Sequence, residues 1–230
     1  MINKKLLAFL FSFLLIKAFW QASERGKFAI EVFDVGQGDA IYIRTPENYS
    51  ILIDGGPDYE VDRYLDKKFF LNTCRIDVLV LTHPHQDHIK GLNRVLDRCE
   101  VGLVLHYEVD YDLREYELWY EHLESVKVLP VVAGDELSLG SAGGNEINLI
   151  VVWPDEPGKH KDNINNASVS ILLDVGDYEV LFLGDLEKEA SSRIDTRLLS
   201  KYVDGQLEVY KVPHHGSLDS NNQELAQFLK

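Results

Sequence analysis

The sequence has little cysteine, little positive charge and no apolar run long enough for a full membrane span. Its two cysteines, Cys74 and Cys99, show no paired spacing that would indicate a zinc knuckle. They are expected either to form one disulfide outside the cytoplasm or to remain buried thiols. Only 23 lysines and arginines face 38 acidic residues, which gives a net charge of −15. A polyanion such as DNA would meet a repulsive field unless a basic patch or bound cations reversed it.

The N-terminal segment has the pattern of an export signal. Two lysines precede the apolar run Leu6–Ile16, and a short basic region followed by about ten apolar residues is typical of a secretory signal. The cleavage pattern at Ala22 is poor, because Trp20 occupies a position that favours small side chains. We therefore expect residues 1–25 to be a signal peptide or an N-terminal membrane anchor of an exported protein, with a buried helix as the alternative.

The remaining chain, residues 26–230, alternates strand and helix patterns without a linker or a low-complexity stretch. Period-2 alternation and continuous apolar runs predict strands, and a 3.6-residue period predicts helices. The predicted strands are Phe28–Val35, Ala40–Arg44, Ser50–Ile53, Ile76–Leu81, Val101–His106, Val128–Val132, Glu136–Leu139, Glu146–Trp153, Ala167–Val175, Glu179–Leu183 and Leu207–Val212. The predicted helices are Asp58–Phe70, Asp87–Arg98, Asp112–Ser125, Leu186–Leu199 and a short C-terminal helix. This order favours an α+β fold in which two sheets pack together with helices outside.

The stretch LTHPHQDHIKGL places three histidines and an aspartate within six residues, between a predicted strand and a helix. His83 and His85 are two residues apart in an extended segment, so both side chains can point the same way. Asp87 and His88 begin the next helix and can turn toward a second point nearby. Because imidazole and carboxylate groups bind zinc and similar divalent metals, this spacing predicts two adjacent metal positions.

The motif HPHQDH matches the HxHxDH signature of the metallo-β-lactamase fold hydrolases. The segments FDVGQGDAIYI, ILIDGG, NNASVSILLDVGDYEVLFLGDLEKEA and LEVYKVPHHGS extend the resemblance over nearly the whole chain after residue 25. The first two segments resemble the opening strands of the family. The last two resemble the ComEC-like competence branch in particular, with pneumococcal phosphorylcholine esterase in the wider neighbourhood. The resemblance implies a four-layer αββα sandwich whose active site lies at the edge between the two sheets.

The resemblance also implies a dinuclear centre that holds two divalent metal ions, zinc or manganese. His83 and His85 would bind the first ion, and Asp87 and His88 the second. Asp185 would bridge both ions, although a turn aspartate after a strand is the alternative. Asp87 is expected to take part in catalysis as well as in metal binding.

Further residues of the implied site come from distant segments. One of His214 and His215 would bind the second metal and the other would bind or protonate the substrate; we favour His215 as the ligand and His214 as the catalytic partner. Asp54 and Asp39 are expected to orient the ligands from behind or to serve as turn residues, because both adjoin glycine. Asn166 stands near the place where the family supplies a third histidine to the first metal. Its amide oxygen could bind weakly or hold a water, which would favour a harder metal such as manganese.

The implied activity is hydrolysis of a phosphoester, single-stranded DNA included, by a hydroxide that the two metal ions activate. Lys90, Arg94 and Arg98 form either a short basic strip for nucleic acid or a solvated helix face. One alternative is an envelope phosphodiesterase or choline-ester-type hydrolase of small substrates. Another is a non-catalytic metal-binding interaction module, with Tyr107–Tyr120 as a contact surface or as a half-buried helix. Membrane contact is expected only through the N-terminal segment.

The chain ends at Lys230, whereas the proteins that it resembles continue past the HHGS motif through one more strand and helix. We therefore expect residues 26–230 to form a metallo-β-lactamase-like hydrolase domain that is either a fragment or a sandwich without its last strand and helix.

Overall fold

The computed structural model describes residues 5–7, 9–13, 15, 26–70, 72–142, 144–176, 178–203 and 205–230. The strands are Ala29–Val32 (β1), Ile41–Arg44 (β2), Ser50–Ile53 (β3), Arg75–Val80 (β4), Glu100–His106 (β5), Val128–Pro130 (β6), Glu136–Ala142 (β7), Asn145–Trp153 (β8), Ser170–Val175 (β9), Glu179–Phe182 (β10) and Val209–Lys211 (β11). The helices are Glu60–Lys68 (α1), Gln86–Arg98 (α2), Arg114–Leu123 (α3), Lys188–Ser191 (α4), Thr196–Tyr202 (α5) and Gln223–Phe228 (α6). Short 3-10 turns span Ile164–Ala167, His214–Gly216 and Leu218–Ser220.

Two β-sheets form the centre of the fold within these described ranges. The first sheet has the strand order β1-β2-β3-β4-β5-β6, and the second has the order β11-β10-β9-β8-β7. Side chains of β8 alternate between two cores: Leu149 and Val151 belong to the larger core shared with the first sheet, whereas Ile150 and Val152 belong to a second core under α4, α5 and α6. Helices α1, α2 and α3 contribute to the larger core from the other side. The predicted four-layer αββα sandwich is confirmed.

Parallel strand pairs determine where the candidate site lies. Strand β3 pairs in parallel with β4, so Ile53 faces Val80 and both strands end at the same edge. Strand β10 pairs in parallel with β11, so Phe182 faces Lys211 at the corresponding edge of the second sheet. Because the carboxyl ends of parallel strands share one edge, the loops that follow these four strands converge.

Two glycines allow α2 to approach the end of β3. A Cβ atom on Gly91 would lie only 1.9 Å from the backbone oxygen of Gly55. The helix therefore packs directly on the Asp54–Gly56 turn, and the Gly55 N–H donates a 2.9 Å hydrogen bond to the His88 carbonyl oxygen. This contact fixes the start of α2 against the strand ends.

Some predicted element bounds differ from the structure. The predicted helix Leu186–Leu199 is wrong, because it is two short helices, α4 and α5, and the Asp195 carboxylate caps the second by accepting from the Arg197 N–H. The predicted strand Ala167–Val175 begins only at Ser170, because a 3-10 turn precedes it.

Cys74 and Cys99 form a disulfide, which is one of the two alternatives predicted for them. The bridge joins the segment before β4 to the residue after α2. It therefore ties α2, which carries Asp87 and His88, to the strand that precedes His83.

Much of the predicted export segment, namely residues 1–4, 8, 14 and 16–25, lies outside the described residues. The described part of this segment is helical and its apolar side chains are exposed, with Phe9 at 67% and Phe11 at 63%. Among the residues that the structure describes, no helix has the length and apolar character needed to cross a membrane.

Candidate metal centre

The sequence-predicted ligands meet at the shared edge of the two sheets. His83 lies after β4, His88 lies in the first turn of α2, and Asp185 lies after β10. Their nearest ligand atoms all lie within 4.8 Å of one another, and all three side chains are buried. His88 Nε2 is 3.3 Å from Asp185 Oδ2, and His83 Nε2 is 3.9 Å from the same oxygen. Residues more than 95 positions apart in sequence thus form one compact group.

A second group of possible ligands adjoins the first. It consists of Asp87, His88 and His215, whose ligand atoms also lie within 4.8 Å of one another. His215 Nε2 is 3.5 Å from Asp185 Oδ2, and His88 Nε2 is 4.0 Å from Asp87 Oδ1. Asp185 thus lies within reach of both groups, as a bridging carboxylate would, while His88 is a member of both.

His85 has a different environment from the other ligands of the HxHxDH motif. Its Nδ1 atom shares a 3.0 Å hydrogen bond with His83 Nε2, and its ring packs edge-on against Tyr111 with 5.8 Å between ring centroids. In the described chain it belongs to none of the groups of three ligand atoms within 4.8 Å. The structure therefore places His85 beside His83 rather than inside the compact group.

The two C-terminal histidines occupy a strained turn. His214 and His215 both have left-handed backbone conformations, with φ angles of 49° and 50°. Such conformations cost about 1–3 kcal/mol each for residues other than glycine and often occur at functional sites. His215 belongs to the compact groups, whereas His214 Nε2 lies 4.0 Å from Asp185 Oδ2 and its side chain is 28% exposed. Membership of the compact groups is consistent with the expectation of His215 as the ligand, whereas exposure does not separate the two side chains, because that of His215 is 27% exposed.

Asp54 holds His88 from behind the cluster. Its Oδ2 atom accepts hydrogen bonds of 2.7 Å from His88 Nδ1 and from Thr82 Oγ1, while Oδ1 accepts from the Thr82 N–H at 2.9 Å. Asp54 is fully buried and has a left-handed φ of 58°. Because the Asp54 carboxylate accepts from Nδ1–H of His88, it is the Nε2 atom of His88 that points toward the cluster. Thr82 was not predicted as a site residue, since nothing in its sequence neighbourhood reveals this contact.

Asp39 is placed beside His215, as a residue that orients a ligand would be. Its Oδ1 atom lies 3.7 Å from His215 Nδ1, and its Oδ2 atom accepts a short hydrogen bond from the Lys211 ammonium group. Lys211 was also missed by the sequence analysis. It lies three residues before His214 in the KVPHHGS segment, and that position is the only signal that could have suggested a role.

Asn166 does not direct its amide oxygen into the cluster. That oxygen accepts a 3.2 Å hydrogen bond from the Glu187 N–H, and the Asn166 carbonyl accepts from Trp153 Nε1. Ser168 Oγ accepts from the Asp185 N–H at 3.1 Å. These contacts show Asn166 and Ser168 supporting the loop that carries Asp185. His160, the nearest histidine to this segment, donates or accepts a bond with Asp155 instead.

Burial and neighbouring charges shift the pKa of three groups in the cluster. Burial would raise the pKa of the Asp185 carboxyl, but hydrogen bonds and charge from His215 and His88 hold it well below its usual range. Burial would lower the pKa of His88, but Asp54 and Asp185 raise it to about 10. Burial dominates at His83 and holds the pKa of that imidazole well below its ordinary value.

Two atoms of the group formed by His83, His88 and Asp185 lack the partners that their burial requires. His88 Nε2 and Asp185 Oδ1 are buried without a hydrogen-bond partner among the described residues. Leaving such an atom unsatisfied costs about 1–3 kcal/mol, and more for charged groups. A divalent metal ion coordinated by these atoms would satisfy both, and the mixed imidazole and carboxylate set suits zinc, manganese or iron. The residues present therefore fit two adjacent metal ions.

The predicted basic strip is largely tied to acidic side chains. Arg94 Nε lies 2.9 Å from Asp62, and Arg98 forms ion pairs with Asp62 and Asp66. Their guanidinium groups therefore connect α2 to α1, and only Lys90 of the strip remains outside these pairs.

The Tyr107–Tyr120 segment, the other predicted contact surface, contains a half-buried helix, because Tyr116 and Trp119 are buried.

Comparison with known proteins agrees with this geometry. The family model of the metallo-beta-lactamase superfamily matches residues 33–230. The chain is 26% identical over 220 residues to ComE operon protein 3 of Bacillus subtilis, covering 87% of this chain and 27% of that protein. It is also 26% identical over 213 residues to the uncharacterized protein YcaI of Escherichia coli, covering 90% of this chain and 25% of that protein. The chain thus spans about a quarter of the length of these relatives.

Among solved structures, a point mutant of CmlA β-hydroxylase superposes with a TM-score of 0.51 at 19% sequence identity, covering 87% of this chain and 40% of that one. CmlA is a diiron enzyme from Streptomyces venezuelae. This likeness concerns the fold alone, because the identity is low. Since the family model extends over most of the chain and the sheets, helices and clustered ligands agree with it, the chain belongs to the metallo-beta-lactamase superfamily, a family of metal-dependent enzymes.

Proposed function

We propose that this chain is a metal-dependent hydrolase that cleaves phosphoesters. The observation that carries the proposal is the buried group His83, His88 and Asp185, with two unsatisfied ligand atoms and a second ligand group adjoining it. Two divalent ions, zinc or manganese, would polarise a phosphoryl oxygen and lower the pKa of a bound water. Similarity to ComE operon protein 3 supports a place in the competence branch of the family.

The protein side chains would divide the work by their positions. His83, His88, Asp87, Asp185 and His215 would hold the metals. His214, which belongs to none of the groups of three ligand atoms among the described residues, would donate a hydrogen bond or a proton to the substrate's leaving oxygen. His214 Nδ1 is buried without a hydrogen-bond partner among the described residues, and Nε2 lies 4.0 Å from Asp185 Oδ2.

The charge of the molecule bears on the substrate. A net charge of −15 and the pairing of Arg94 and Arg98 with acidic residues give α2 little affinity for a long polyanion. These observations favour the second candidate, a small phosphodiester or a choline-type ester, which fits a site without a basic track. Single-stranded DNA stays in the proposal as the substrate that the sequence resemblance implies.

An activity assay separates these substrates. We would load the full chain with zinc or manganese and assay bis-p-nitrophenyl phosphate and labelled single-stranded DNA. Asp185→Ala should abolish turnover of both, whereas Asp162→Ala, which removes an exposed carboxylate, should leave it unchanged. A protein that binds two metals and cleaves neither substrate would contradict the hydrolase proposal. Cleavage of the small ester alone would contradict the nuclease version.

We also propose that the protein is exported or anchored outside the cytoplasm, with membrane contact through its N-terminal segment only. The exposed apolar side chains of the described part of this segment and the Cys74–Cys99 disulfide support this location.

A further inference from the structure

A cavity at the far end of the first sheet plays no part in the proposed hydrolysis. It has a volume of about 670 Å³, within the range of ligand-binding sites. Arg44 at the end of β2, Ser50 at the start of β3 and Arg75 at the start of β4 line it. Asp54 and His83 of the metal centre follow the carboxyl ends of β3 and β4, whereas the cavity lies at the amino ends. A six-residue strand such as β4 separates the two ends by roughly 20 Å. The cavity is therefore a separate feature.

The charge of the cavity lining is opposite to that of the chain. Its basic side chains are Arg44, Lys67, Lys68 and Arg75. Only two carboxylates, Glu31 and Asp77, line it as well, so the lining carries a net charge of +2 in a chain of −15. Such a local reversal of charge focuses a positive field on a concave surface.

The basic groups differ in their availability. Lys68 pairs with Glu31, and Arg75 Nε lies 3.1 Å from Asp77 Oδ1. Lys67 is exposed and forms no ion pair with any described carboxylate, and its ammonium group lies 5.7 Å from the centre of the Tyr64 ring. The Arg75 side chain is 66% exposed, so its remaining N–H groups are also accessible. Lys67 and Arg75 can therefore donate hydrogen bonds to a bound anion.

The apolar wall of the cavity is aromatic, with three nearly parallel rings and Phe69 edge-on to Tyr42 at 83°. Phe33, Tyr42, Tyr64 and Phe69 line it. The Phe33 ring stacks on Tyr64 with centroids 4.5 Å apart and 6° between the ring planes, and it is nearly parallel to Tyr42 at 11°. The Tyr64 hydroxyl is held in place by the backbone of Asp34, donating to its carbonyl and accepting from its N–H. This fixed wall can pack against a flat ring.

We propose that this cavity binds an organic phosphate monoester with a flat aromatic body, of which a nucleoside monophosphate is the simplest example. A phosphate monoester carries a charge of about −1.5 to −2 at neutral pH, which the net charge of the lining balances. Its oxygens would accept charge-assisted hydrogen bonds from Lys67 and Arg75. Its ring would pack against the aromatic wall. The site is independent of the metals, so this inference does not rest on the proposed hydrolase activity.

Calorimetric titration with AMP tests the proposal. The protein would be the full chain with Asp185→Asn in a chelating buffer, so that the metal centre does not contribute to binding. We expect a single binding site for AMP. The double variant Lys67→Ala, Arg75→Ala should raise the Kd for AMP at least about tenfold, because it removes two charge-assisted hydrogen bonds to the phosphate. The double variant Lys127→Ala, Lys161→Ala removes the same charge elsewhere and should leave the Kd unchanged.

Two further probes separate the anion from the ring. Inorganic phosphate and adenosine should each bind more weakly than AMP, and Tyr64→Leu should weaken AMP binding without weakening phosphate binding. Equal thermal unfolding midpoints for the two double variants would assign the loss of AMP affinity to the cavity rather than to a folding defect. The proposal is overturned if AMP does not bind, if phosphate binds as tightly as AMP, or if both double variants weaken binding equally.

Discussion

Asp54 shows how one buried residue can determine the chemistry of a neighbour. It joins His88 to Thr82 through three hydrogen bonds and touches no solvent. Its left-handed backbone is possible because the Asp-Gly-Gly turn is held against α2. The sequence leaves Asp54 as either a residue that orients a ligand or a turn residue next to glycine, and in the structure its carboxylate lies 2.7 Å from His88 Nδ1, as the first alternative requires.

Asp54→Asn should therefore weaken metal binding. An amide cannot accept from His88 and both Thr82 donors as a carboxylate does, so His88 would lose its fixed orientation. Loss of such a supporting contact typically costs about 10–100-fold in metal affinity. Competition with a coloured chelator measures the affinity, and Asp58→Asn, at an exposed carboxylate, should leave it unchanged. Equal affinities for the Asp54 variant and the parent would show that this contact does not support the metal.

Metal binding should release a proton from His88. Asp54 and Asp185 raise its pKa to about 10, so the metal-free protein holds this imidazole protonated at neutral pH. A metal ion needs the neutral form, so its apparent affinity should rise with pH, by up to about tenfold per unit below the raised pKa. Calorimetry in buffers of different ionisation enthalpy counts the released protons. We expect about one proton from His88 per protein molecule at pH 7. A count of zero would contradict this, and the control variant His122→Gln should release as many protons as the parent.

At the scale of elements, the close contact of α2 with the Asp54–Gly56 turn positions the first half of the candidate centre. The helix begins at Gln86 and carries Asp87 and His88 in its first turn, so any displacement of α2 moves two candidate ligands together. The approach is possible only because neither Gly55 nor Gly91 has a side chain.

Gly91→Ala should lower both stability and metal affinity. The new Cβ atom would lie 1.9 Å from the Gly55 oxygen, and such overpacking typically costs about 1–3 kcal/mol. Urea unfolding measures the stability of the metal-free protein, and chelator competition measures the metal. Gly205→Ala meets no atom within 4 Å and is the matched control. A Gly91 variant as stable as this control would show that α2 can shift without cost.

Element boundaries also show where sequence patterns stop being informative. The bounds of β4 and α2 are predicted nearly to the residue. A continuous apolar run marks β4 and an amphipathic pattern marks α2, because both elements are buried against large neighbours. The run Leu186–Leu199 has a helical period too, but Asp195 offers a local cap that starts a new helix. Periodicity alone cannot decide between one long helix and two short ones.

For the whole molecule, the sequence predicts the layer order and the convergence of the ligands through the family signature and the strand patterns. It does not predict Lys211 beside Asp39, nor Thr82 beside Asp54, because these contacts depend on how separate strand ends meet. It also places Asn166 near the metals by position, whereas the structure directs its amide oxygen to the Glu187 N–H. Hydrophobic patterning determines which strands are buried, but side-chain partners across sheets follow from tertiary packing.

Export of the whole chain can be tested through its disulfide. If the N-terminal segment directs export, the protein should be recovered outside the cytoplasm with Cys74 and Cys99 joined and unreactive toward a thiol label. Leu10→Lys places a charge within the apolar run, and the protein should then stay in the cytoplasm with both thiols labelled. Tyr178→Lys adds the same charge at an exposed residue of the domain and should be exported like the parent. A parent protein found in the cytoplasm would contradict export. If the parent and the Leu10 variant were found in the same compartment, the apolar run would not determine where the protein resides.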